Sequence, residues 1–212
     1  MKIMAAALQA RERRPVGGDD KRARILDAAR RVFAAEGLDG ASLRAIAAAA
    51  GYTPAALYFH FASKEAIYAA LLHESLQRLR ASVEQAVSGI AAPVERFRRA
   101  ALAFFAFYEA NPGDLDLGFY LFRGGMKPQG LGRAHDEALN AALAAALAPV
   151  AAAAEAMGAD ADRARLLTLD VFAHAAGLLL LAHTGRIRMF GASAARQMDA
   201  YVARQLAELQ EH

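Results

Sequence analysis

Cysteine and tryptophan are absent from the 212 residues, and proline occurs only six times. Without thiols, disulfide cross-links and thiolate metal centres are excluded. Alternating strand patterns of useful length are also missing. Proline and glycine fall between apolar blocks of helical period instead of at hairpin spacing, so the fold is predicted to be all-α. Long membrane-type runs are lacking as well. The longest apolar stretch, Val171 to Ala182, contains His174 and falls short of the ~18 residues that suggest a span. Lys2 followed by IMAAAL is too short for the ~7-residue core of a leader. The expectation is a cytoplasmic protein without a membrane partner.

Catalytic signatures are scarce too. No nucleophile elbow or phosphate loop occurs, and an enzyme built on helices, with Asp114, Asp116 and His174 as acid-base candidates, is a remote alternative. His135, Asp136 and Glu137 are consecutive, so they point to different sides of a helix and cannot converge on one ion. His174 and His183 lie two turns apart and out of line. Neither metal nor cofactor is expected.

What is present is an uneven charge and a helical period. Residues 1–64 hold eleven Lys and Arg against six Asp and Glu, a balance of +5, which leaves −2 for the remainder of a chain of formal charge +3. Such a gradient favours a polyanion as partner and binding that weakens with salt. Residues 1–20 read as a flexible basic arm, with Arg11, Arg13 and Arg14 ahead of Pro15-Val16-Gly17-Gly18. These arginines could enter a minor groove, or the arm could be a plain tail.

Residues 42–65, SLRAIAAAAGYTPAALYFHFASKE, are the most informative. Leu43, Ile46 and Ala47 mark the apolar side of a short helix, Ser42 just before it is a candidate DNA contact, and Gly51 sits where a positive φ is easiest. Thr53 is a good N-cap and Pro54 suits the first position of a second helix. From that helix Leu57 and Phe61 should point inward, while Tyr58 and His60 stay at the rim, able to donate to phosphate oxygens. Ser63 can cap the next helix, with Lys64 in its first turn beside any bound phosphate. The layout is that of a helix-turn-helix DNA reader. Pro54, Ala55 and Ala56 offer methyl contacts with almost no hydrogen-bond code, so Arg44 and Tyr52 are the candidates for base contact. Taken singly, Tyr58 could be a packing aromatic, and His60 and Lys64 ordinary solvated groups.

The same string resembles the DNA-binding signature of the TetR/AcrR transcriptional regulators. The matching residues are Ile46-Ala47, Ala50-Gly51, Tyr52-Thr53-Pro54, Leu57-Tyr58, His60-Phe61 and Ser63-Lys64-Glu65, preceded by ILDAARRVFAAEGLDGAS, which is similar to the family's first helix. The resemblance covers about the first third of the chain. It implies that Thr53, Tyr58, His60 and Lys64 touch the DNA backbone, while the start of the second helix faces base edges. Ala55 departs from the glycine that many members carry there.

Two domains are predicted beyond the arm: residues 21–67 for DNA binding and 68–212 for effector binding and dimerisation. A long helix with Tyr68, Leu72, Leu76, Leu79, Val83 and Val87 on one stripe should connect them. Further helices are expected at 93–111, 114–123, 133–157 with a kink at Pro149, 160–185 and 193–209. Phe97, Phe104, Phe105, Phe107, Tyr108, Phe119, Tyr120 and Phe122 concentrate near Asn111-Pro112-Gly113. Large rings with polar tips suit an apolar ligand, although plain core packing would use them equally well. The candidate ligand set is Phe104, Tyr108, Phe119, Tyr120, Phe122, Arg123, Phe172 and His174, with residues 124–130 as a loop at its mouth. The resemblance places an inducer pocket in this part of the molecule.

Ala173, Gly177, Leu180 and Thr184 form a stripe of mostly small residues, and Met198, Val202, Gln205 and Leu209 a second one. Either could be buried within one chain. The resemblance implies instead that the last two helices build a four-helix homodimer interface, and twofold symmetry then predicts a palindromic operator. The function expected from all this is a ligand-responsive regulator, a repressor released by a small apolar effector. The alternative is a DNA-binding regulator controlled by a protein partner.

Overall fold

The computed structural model describes residues 18–118 and 130–210, and every described element is helical. The basic arm up to residue 17, the rings Phe119, Tyr120 and Phe122, Arg123 and nearly all of the 124–130 loop lie outside the described residues. The chain divides into two compact units, Met1–Leu71 and Leu72–His212.

In the first unit, α1 (Gly18–Gly40) carries Ile25, Ala28, Ala29, Val32 and Phe33 on its buried side. Its helical path breaks at Gly37, whose φ of 71° and ψ of 178° only glycine adopts freely. The short α2 (Leu43–Ala50) and α3 (Pro54–Tyr58) pack in sequence, α2 on α1 and α3 on α2. Ile46, Ala47 and Leu57 are fully enclosed. Burying a side chain the size of Leu57 contributes about 1.5–3 kcal/mol, which is what fixes so short a helix as α3. Phe33 and Tyr68 close the unit edge to face, with ring centroids 4.9 Å apart. Tyr68 belongs to α4 (Lys64–Val87), a single helix that starts in the first unit and continues into the second.

The second unit is built on α5 (Pro93–Ala110), which buries Phe97, Ala100, Ala101, Phe104, Phe105 and Tyr108 at three- and four-residue spacing. Against it lie α7 (Arg133–Ala156), α8 (Ala161–His183) and α9 (Ala194–Gln210). The short α6 (Pro112–Gly118) follows α5 directly, and a 3-10 turn, Arg186–Phe190, joins α8 to α9. Helix α7 runs on through Pro149. By length and composition α7 and α8 would each be able to cross a membrane, in contrast to the reading of the 171–182 run alone. Both pack here on α5 and on each other, as apolar bundle helices do.

Candidate nucleic-acid interface and regulatory site

The turn between α2 and α3 is fixed at both ends by its own side chains. Ser42 Oγ accepts from the Ala45 amide at 3.1 Å and heads α2, while Thr53 Oγ1 accepts from the Ala56 amide at 3.2 Å and heads α3. Gly51, at φ 74° and ψ 30°, closes α2, and the Tyr52 amide donates back to the Ala47 carbonyl at 2.9 Å. Leu57 and Phe61 point inward as the spacing requires. Tyr58, the last residue of α3, is 58% exposed, and His60, in the turn that follows, is exposed too. Pro54 and Ala55 lie open at the head of α3, and Arg44 is exposed on α2.

Three residues differ from their sequence reading. Lys64 is not a free phosphate ligand: its ammonium donates to the carbonyls of Leu38, Asp39 and Ala41 at 2.8, 3.1 and 3.2 Å. An ammonium has three donors, and all three are engaged in tying the α1–α2 connection to the head of α4. Tyr52 is half-buried, with the Arg24 guanidinium 5.4 Å from its ring centroid, so one face of the ring is covered. Phe59, absent from the predicted set, is 90% exposed between Tyr58 and His60. Its place between Tyr58 and His60 was the available signal, but Phe59 follows the end of α3, so the pattern of the helix assigns it no face.

In the second unit the described members of the aromatic cluster pack against one another. Phe104 meets Tyr108 and Phe172 edge to face, at 5.3 and 5.8 Å between centroids, and Phe107 meets Tyr108 at 5.2 Å. Burial, and then the nearby charge of Asp114, push the Tyr108 phenol above its ordinary pKa. His174 stands apart from this group: its ring stacks on Tyr201 of α9 at 3.9 Å and 14°. Its Nε2 is buried without a partner among the described residues, and burial, aided by Arg204, lowers its pKa. A groove of about 390 Å³ lies elsewhere, between α4, α5 and α7, with Arg80, Glu84, Val87, Arg96 and Pro149 among its walls. None of the described candidate ligand residues, Phe104, Tyr108, Phe172 and His174, is among its walls.

The two small-residue stripes also separate. Met198, Val202 and Leu209 are buried within the chain, contrary to their interface assignment, because they are the apolar side of α9 against α5 and α8. Ala173, Gly177, Leu180 and Thr184 remain exposed on α8, in line with Leu166 and Leu169. Among the described residues no three His, Asp or Glu side chains gather as a metal site. Asp136 instead accepts from the Leu131 amide, and Glu137 pairs with Arg133.

A capped two-helix turn with exposed hydrogen-bond donors, on an all-helical chain, defines a helix-turn-helix regulator class. The family of bacterial regulatory proteins named for TetR matches residues 25–71, which span α1 to the first turns of α4. Over those residues the chain matches the DNA-binding domain of the TetR family, whose members are transcriptional regulators. It is 36% identical over 107 residues to the transcriptional activator FasR of Mycolicibacterium smegmatis, covering 46% of this chain and 49% of FasR. It thus spans about half or less of the curated relatives it matches. A solved protein of unknown function from Rhodococcus sp. RHA1 superposes with a TM-score of 0.72 at 27% identity, covering 93% of this chain and all of the other. FadR of Bacillus subtilis, solved in complex with stearoyl-CoA, shares the fold at 18% identity and a TM-score of 0.64, over 86% of this chain and 96% of FadR.

Proposed function

We propose that the chain is a cytoplasmic, ligand-responsive repressor that binds a palindromic operator as a homodimer and is released by a small, largely apolar effector. The observation that carries this reading is the C-terminal end of α3 and the turn after it, where Tyr58, Phe59 and His60 stand exposed in consecutive positions beside a fully buried Leu57. Phenol and imidazole supply donors for phosphate oxygens, and the Phe59 ring suits a thymine methyl. The exposed α8 face from Leu166 to Thr184 supports the homodimer, since apolar and small residues at that spacing let a second helix approach closely. Two copies related by a twofold axis would present their α3 helices to half-sites about 34 Å apart.

Helix α4 belongs to both units and is the natural lever. An effector that entered near Tyr108 and displaced α4 would change the spacing of the two α3 helices and lower operator affinity. By linkage, operator DNA would then weaken effector binding by the same factor. The stearoyl-CoA bound by FadR supports an acyl or similarly apolar effector class only as far as a common fold allows. Close packing of Phe104, Tyr108 and Phe172 favours a second reading, in which a protein partner controls the regulator.

The test is a reporter driven by the promoter next to the chain's own gene, with and without the protein and with a panel of acyl compounds. Loss of reporter signal that an apolar compound restores supports the proposal. A rise in signal would make the protein an activator, and repression that no compound relieves would favour the protein partner.

A further inference from the structure

We propose that Arg24 is a phosphate-binding residue of the DNA interface, and that Tyr52 is the platform that holds its guanidinium there instead of a reader of bases. The inference rests on the DNA-binding reading above. Arg24 lies on α1, outside the two helices that the motif defines, and is exposed. Its Cζ sits 5.4 Å from the Tyr52 ring centroid. Its Nη2 lies 3.9 Å from the place a Cβ on Gly51 would take, nearer than any other atom from outside the local chain. The guanidinium is therefore parked against the Gly51-Tyr52 turn, immediately before the Thr53 cap of α3.

A cation–π contact is made through the charge of the guanidinium and consumes none of its five N–H donors. No carboxylate or carbonyl of the described residues takes them. Two other cations of the first unit are committed differently: Arg31 pairs with Asp27, and Lys64 is spent on three carbonyls. Arg24 is thus a pre-oriented, unneutralised fork at the edge of the turn, and a phosphate diester matches that fork in shape and charge. The ring restricts the side chain in advance, so less rotamer freedom is lost on binding DNA.

The experiment is fluorescence anisotropy of the full chain on two labelled duplexes, one from around its own gene and one scrambled, across a salt series. Arg24→Ala and Arg24→Gln should weaken binding roughly tenfold on both duplexes. Each should also flatten the slope of log K against log salt by about 0.9 per bound protomer. Arg24→Lys should keep the slope and lose part of the affinity, because the point charge survives without the planar fork. Tyr52→Phe should behave as wild type, while Tyr52→Ala should weaken binding about two- to fivefold by freeing the guanidinium. Matching thermal unfolding of wild type and Arg24→Gln separates these effects from folding. Wild-type slope in both neutral Arg24 variants overturns the inference alone. Loss in Tyr52→Phe equal to that in Tyr52→Ala overturns the platform, assigning the contact to the phenol. Absence of wild-type binding to either duplex overturns both the inference and the DNA-binding reading.

Discussion

The guanidinium of Arg78, on α4, donates to the carboxylate of Asp114, on α6, at 2.5 Å. The two ends are unequal: Asp114 is 8% exposed and Arg78 48%. The carboxylate has therefore given up more water than the guanidinium, and the bridge matters most to Asp114. Arg78→Ala leaves a buried carboxylate short of one partner. The expected cost is about 1–2 kcal/mol after allowing for solvent screening at the arginine. Thermal unfolding should show a Tm several degrees lower, and Arg78→Lys should recover part of it.

Lys64 is predicted to act on the fold of the first unit before it acts on DNA. Removing its ammonium leaves the carbonyls of Leu38, Asp39 and Ala41 without this donor, so Lys64→Met should cost about 1–3 kcal/mol. Denaturant unfolding gives that figure directly. The fraction that remains folded should bind DNA with the wild-type salt slope, since no phosphate contact has been lost.

His174 predicts a stability that falls on the acid side. Its folded pKa is lowered, first by burial and then by Arg204, so the unfolded chain takes up a proton more readily. Stability is full above the unfolded value, about 6.5, and declines as pH falls through it toward the folded value. His174→Phe keeps a ring against Tyr201 and removes the unpartnered Nε2. Its Tm should change less than that of wild type between neutral and mildly acid pH.

Gly177 separates folding from assembly. A Cβ placed there meets nothing within 4 Å inside the chain, and the residue is exposed in the middle of α8. Gly177→Leu should leave the isolated fold intact or stabilise it, by up to ~1 kcal/mol of helix propensity. It should break a close helix pairing between two copies. Light scattering should report a monomer for the variant and a dimer for wild type.

Much of the fold was legible because helix ends are written in local chemistry. Gly51, Thr53, Pro54 and Ser63 each act where the sequence placed them, since caps and a positive φ depend on a few neighbouring atoms. The inward residues Leu57 and Phe61 followed from the period. What was not legible depends on partners distant in sequence. Lys64 finds its carbonyls 23–26 positions earlier, and Tyr52 meets an arginine on another helix. The stripe of Met198, Val202 and Leu209 looked like an interface because an apolar helix face carries no mark of whether it will be covered by its own chain or by a second one. The His174 ring turned to Tyr201 for the same reason: spacing along α8 does not say what α9 will present.

The most direct test of the central claim is anisotropy of the full chain on duplex DNA from around its own gene, comparing wild type with Tyr58→Phe, Phe59→Ala and His60→Ala. All three positions are exposed, so the substitutions spare the core. The account predicts specific binding by wild type. Tyr58→Phe and His60→Ala should weaken binding roughly tenfold each on any duplex through a lost phosphate contact, and Phe59→Ala should lower preference for the specific duplex over a scrambled one. Wild-type affinity and preference in all three variants would contradict it, since the end of α3 and the turn after it would then not be the surface that meets DNA.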